Sequence, residues 1–211
     1  MSRVTFLIDG FNLYHSVREA QRELNTSTKW LDIRRLCQSY IYLLGREATL
    51  FDVYYFSALA KHLEATNPDV TQRHKNFIEC IKDTEVHVEL NRFKKNSVKC
   101  KYCNRKFFRH EEKETDVSIA IKLLELFVTD ACDIAVLVTG VTDLSPAVKT
   151  AKRLFPYKKI GFAFPYKRKN KELAQLADFQ FEIKKQAYAK FQFSDPFITQ
   201  KGVIINKPAS W

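Results

Sequence analysis

The feature that most constrains this chain is an alternation. Short apolar runs that stop at turn residues recur between longer segments whose apolar positions follow helical spacing. "VTFLI" (4–8) halts at Asp9-Gly10, and "LFDVYYFSA" (50–58), "EVHVEL" (85–90), "IAVLVT" (134–139), "KIGFAF" (159–164) and "DFQFEI" (178–183) read as further strands. Between them, 30–45, 71–83, 116–130, 144–155 and 170–177 read as helices; in 116–130 the stripe is Ile119, Ala120, Leu123, Leu124 and Phe127. Wholly apolar strands alternating with helices describe a parallel sheet covered on both faces. The expected fold is therefore α/β, a Rossmann-like three-layer sandwich with a mainly parallel central sheet. At 211 residues the chain suits one such domain, over 1–190, interrupted by a basic insert at 91–113 and followed by a tail at 191–211.

Charge is unevenly spread. The net charge is +11, and 91–110 carries eight Lys/Arg and 149–171 nine, neither with a single acid. Such blocks create a positive field suited to polyanions, and interleaved aromatics suit unpaired bases. The expected partner is nucleic acid: RNA first, DNA second. The expected contacts are Lys94, Lys95, Lys99, Lys101, Arg105, Lys106 and Arg109 in the first block, and Lys167, Arg168 and Lys169 in the second. No apolar run reaches bilayer length, "MSRVTFLIDGFN" turns polar too early for a signal peptide, and five cysteines lack framework spacing. A cytoplasmic protein with no membrane partner is the expectation.

Three acids fall where a doubly wound sheet places chemistry, beyond the carboxyl ends of the strands where strand order reverses. Asp9 follows the first strand and Asp143 follows the strand at 134–139. Asp116 opens the 116–130 helix on the side of its apolar stripe. Singly, each has an ordinary structural explanation as a turn acid or helix cap. Together, converging carboxylates repel, and a divalent cation with a taste for oxygen, Mg²⁺ or Mn²⁺, relieves them. Asn12 adds a neutral donor one turn past Asp9. Beside phosphate-binding lysines, this implies metal-assisted phosphodiester hydrolysis.

"FLIDGFNLYHS" (6–16), "EEKETDVSIAIKLLELF" (111–127) and "VLVTGVTDLSPAV" (136–148) resemble the NYN domain, a branch of the PIN-like nuclease superfamily, in order and across most of 3–165. The resemblance implies a Rossmann-like, PIN-like fold and a Mg²⁺- or Mn²⁺-dependent endoribonuclease. It carries Asp9, Asn12, Asp116 and Asp143 over as catalytic positions, the three acids holding the metal. The last motif usually reads Gly-Asp-Ser/Thr-Asp, whereas here it is Gly140-Val141-Thr142-Asp143. One expected acid is missing, which leaves two readings: a nuclease hampered at Val141, or an RNA-binding domain that no longer cuts.

Cys100-x₂-Cys103 has the spacing of a zinc knuckle, with His110 as third ligand and His87 or Cys80 as fourth, to stiffen the basic insert. Two idle cysteines are the alternative. Cys37 and Cys132 read as core, and His62 and His74 as surface. Phe11, Tyr14 and Tyr166 are candidates for base stacking. A dinucleotide enzyme would need Gly-x-Gly-x-x-Gly after the first strand, and a haloacid-dehalogenase-type phosphatase an acid at position 11, which is Phe11.

Overall fold

The computed structural model describes all 211 residues. Strands β1 (Ser2–Asp9), β2 (Ala48–Ala58), β3 (His87–Lys99), β4 (Lys106–Lys113), β5 (Ile134–Val138), β6 (Lys159–Phe164) and β7 (Phe179–Glu182) form one sheet in the order β4-β3-β2-β1-β5-β6-β7. Every pairing in it is parallel except β3 with β4. Strand order reverses at β1, flanked by β2 and β5, so the ends of β1 and β5 are neighbours as the alternation implied.

Alternation along β1 divides the core. Val4, Phe6 and Ile8 face one layer, which holds α1 (Gly10–Leu24), α2 (Ile33–Gln38), α3 (Val70–Asp83) and α7 (Lys185–Lys190). Leu7 faces the other, built from α4 (Thr115–Val128), α5 (Ser145–Leu154) and α6 (Lys171–Leu176). The apolar stripe of α4 packs there through Ile119, Leu123 and Phe127, all buried. The single helix expected at 30–45 is two pieces, α2 and a short 3₁₀ turn at Ile41–Leu44, because the chain turns at Ser39-Tyr40 before Gly45.

One further segment departs from expectation. The insert is not separate from the alternation: β3 pairs with β2 only over His87–Asn91, then runs on and returns as β4 through Arg92–Lys99 against Lys106–Lys113. Since β3 is parallel to β2 and outruns its end at Ala58, the hairpin arm projects past the carboxyl edge of the sheet for roughly 25 Å. The tail packs back on the domain. Its β8 (Phe197–Ile198) and β9 (Ile204–Ile205) form a small antiparallel pair, Phe193 and Ile205 are buried, and Trp211 meets Trp30 and Phe77 edge-on. No helix is long and apolar enough to cross a membrane.

Candidate active site

Asp9 ends β1 and caps α1. It is 4% exposed, its Oδ1 accepts from the Asn12 backbone N–H at 2.9 Å, and its Oδ2 accepts from the Thr139 hydroxyl at 3.0 Å. Thr139 also accepts from the Val141 N–H at 3.2 Å, and the Asn12 side-chain oxygen accepts from the Gly140 N–H at 3.1 Å. These bonds lock the turn after β5 onto the start of α1. Glycine is required on both sides of the lock. A Cβ on Gly10 would stand 2.6 Å from the Phe56 carbonyl oxygen, and one on Gly140 2.1 Å from that of Arg168. Asn12 thus spends its oxygen on the fold, and only its amide N–H groups are left for a ligand.

A cleft of about 670 Å³ opens over this lock, and Asp9, Asn12, Asp116 and Asp143 all line it. Asp116, in the first turn of α4, is half-buried, and its carboxyl is raised by burial and then by the charges of Asp9 and Asp143. Asp143 lies exposed in the 3₁₀ turn Thr142–Leu144 and caps no helix: α5 begins after Leu144, without a side-chain cap. Val141 lines the same cleft and contributes no charge.

A fourth carboxylate joins them. Glu112, at the end of β4, faces the cleft and is raised from the ordinary 4.5 to about 7, chiefly by burial and then by Asp9 and Asp116, against a 2.6 Å bond from the Thr115 hydroxyl. Asp9 is raised by burial too, opposed by its bonds from Asn12 and Thr139. Sequence spacing gave no sign of Glu112. It lies four residues before Asp116, but strand β4 and the left-handed residue Glu114 (φ 79°) intervene, so no helical periodicity links the two.

The acids in the cleft are hard oxygen donors of the kind a divalent cation takes, two of them lifted partly by their neighbours' charge, and His15 and Lys113 line the cleft beside them. The side chains do not close a shell, for no three acidic, cysteine or histidine groups stand close enough to hold an ion. A cation here would have to complete its shell with water.

The two basic blocks fare differently. Lys94, Lys95, Lys99, Lys101, Arg105, Lys106 and Arg109 are exposed along the hairpin arm. Arg109 reaches Glu111 at 3.7 Å, and Lys95 sits 3.8 Å over the Phe108 ring. In the second block the fold supplies acids that the local sequence lacks: Lys167 pairs with Glu19 and Glu23, and Lys169 with Glu182 at 3.4 Å. These two are therefore neutralised, while Arg168 remains near enough to His15 to lower its pKa, after burial. Tyr166 is likewise engaged, its hydroxyl donating to Glu23 at 2.6 Å. Phe11 lines the cleft and meets Phe93 of the arm at 5.4 Å; Tyr14 is 41% exposed.

The cysteine pair lies at the arm's tip, and the proposed partners are elsewhere. His110 pairs with Lys95, four residues down β4 from Lys106, and stacks on His62 at 4.2 Å. His87 begins β3 beside Asp52, and Cys80 is buried in the core, as are Cys37 and Cys132. The ladder thus separates the ligands of the expected zinc set. His62 and His74 are half-buried rather than fully exposed. His62 Nδ1 is buried without a hydrogen-bond partner, and burial lowers His74 to about 4.

The sequence pattern of the NYN domain family matches residues 3–184. A comparison with curated proteins finds no match. Among solved structures, a protein of unknown function from Vibrio parahaemolyticus is similar at a TM-score of 0.57 and 17% identity, over 87% of this chain and 93% of that one. That likeness concerns the fold.

Proposed function

The chain belongs to the NYN domain family, whose members resemble PIN-like nucleases, and from that premise we propose that it is a metal-dependent endoribonuclease. The observation that carries the reading is the gathering of Asp9, Glu112, Asp116 and Asp143 around one cleft at the carboxyl ends of β1 and β5. Asp9, Asp116 and Asp143 would hold Mg²⁺ or Mn²⁺, with Glu112 restoring the charge that Val141 lacks. When bound, the cation supplies Lewis-acid polarisation of a phosphodiester and a more acidic water.

The chain's own residues do the rest. Thr139 and the Asn12 N–H hold the Asp9 carboxylate in one orientation before any ligand arrives. The Asn12 amide is free to donate to a phosphate oxygen. The arm's unpaired lysines and Arg105 clamp the backbone where β3 outruns the sheet, and Phe11 offers a face to an unpaired base. A binding module that does not cut is the second reading, favoured by Val141 in the cleft wall and by the open spacing of the acids. Cleavage of structured and single-stranded RNAs with Mn²⁺ separates the two. The proposal expects metal-dependent product that Asp9→Asn abolishes; RNA bound without product would leave the binding module.

A further inference from the structure

A second cleft, of about 540 Å³, lies on the other flank of α1. That volume is within the roughly 300–1,000 Å³ usual for small-molecule sites. Its walls carry five aromatic rings, Phe11, Tyr14, Tyr55, Phe77 and Trp211, and three cations, Arg18, Lys29 and Arg73, with no acid among the lining residues. The cations are not spent on close carboxylates. Lys29 donates to the Ser210 carbonyl at 3.3 Å, Arg73 donates to Asn67 at 2.7 Å, and Arg18 lies 5.6 Å from the Tyr14 ring centre. The acid nearest Arg73, Asp69, is 3.9 Å away and mostly in solvent. Lys29 is lowered by burial and then by the charges of Arg18 and Arg73, so it feels both of them across the cleft.

We propose that this cleft binds a nucleotide, one base against the rings and its phosphate among Arg18, Lys29 and Arg73. An anion is what relieves three cations grouped in a partly apolar cavity, and the partly exposed rings of Phe11, Tyr14 and Trp211, unlike the buried Tyr55 and Phe77, are there to meet a flat base. Phe11 and His15 line both this cleft and the acidic one, so a nucleotide here and a phosphodiester at the acids are adjacent positions. The site needs no metal and holds whether or not the acids cut RNA.

The test is titration of the full chain in EDTA with AMP, GMP, CMP, UMP and a single-stranded tetranucleotide, followed by calorimetry and by Trp211 fluorescence. Adenosine and inorganic phosphate serve as half-ligands. Saturable binding of at least one mononucleotide is expected, tighter than either half, and weakened roughly tenfold by Lys29→Gln and by Arg73→Gln with circular dichroism unchanged. A tetranucleotide that binds more tightly than its mononucleotide assigns the site to an RNA strand, and equal affinities assign it to a free nucleotide. No saturation by either up to about millimolar, or affinity indifferent to both substitutions, would overturn the proposal.

Discussion

The Thr139 hydroxyl donates to Oδ2 of Asp9 at 3.0 Å, joining the end of β5 to the end of β1 where the acidic cleft opens. Both residues are almost wholly buried, so the bond lies in a medium where an unpaired carboxylate oxygen is costly. Thr139→Val keeps the shape and removes the donor. It should lower stability by about 1–2 kcal/mol in urea unfolding and reduce cleavage, because Asp9 keeps only its donors from α1. An unchanged midpoint would mean the bond contributes nothing.

Glu112 sets a pH dependence. Its folded-state pKa of about 7 lies above its ordinary 4.5, so between those values the folded chain binds more protons than the unfolded one. Stability from this group is therefore fully present below about 4.5 and is lost as pH rises through about 7. Glu112→Gln should flatten that slope and raise stability at pH 8 by about 1 kcal/mol, allowing for the group's partial exposure to solvent. Thermal melts from pH 5 to 8 measure it.

Val141→Asp adds an acid to a wall that already holds five, Asp9, Glu112, Glu114, Asp116 and Asp143. In EDTA the variant should melt several degrees lower through added repulsion, and in Mn²⁺ it should recover and cut faster than the parent. A variant that melts alike with and without metal would show that position 141 does not face the cation.

The two basic blocks should separate in salt titrations of RNA binding. Lys94→Gln, Lys99→Gln and Lys106→Gln should each reduce the slope of log K against log salt by about one, since these side chains are free on the arm. Lys167→Gln and Lys169→Gln should leave it unchanged, because their charge is already met by Glu19, Glu23 and Glu182.

The pattern of residues that the sequence exposes is local, and so are its errors. The strands at 4–8 and 159–164 and the helix at 116–130 follow from periodicities that depend only on near neighbours, while the reversal of strand order beside β1 follows the general rule for doubly wound sheets. Asp9, Asp116 and Asp143 were legible for the same reason, each lying at the end of an element whose limits could be read. Glu112 was not, because it enters the cleft from a strand of the basic arm, and nothing in "FFRHEEKE" says that the arm is a hairpin returning to the sheet. Lys167 and Lys169 show the same limit in the opposite sense: their stretch is free of acids in sequence, while α1 and β7 bring acids to it in space. The zinc set also depended on distant placement: a hairpin ladder holds His110 away from the tip that carries Cys100 and Cys103.

The measurement that tests the central claim most directly is Mn²⁺ titration followed by electron paramagnetic resonance, on the parent chain beside Asp116→Asn and Glu112→Gln. If the four carboxylates act as one cation site, the parent takes up Mn²⁺ saturably and each substitution weakens binding at least about tenfold, a loss of the size expected for a charged partner. Isotherms that coincide for all three proteins would contradict it.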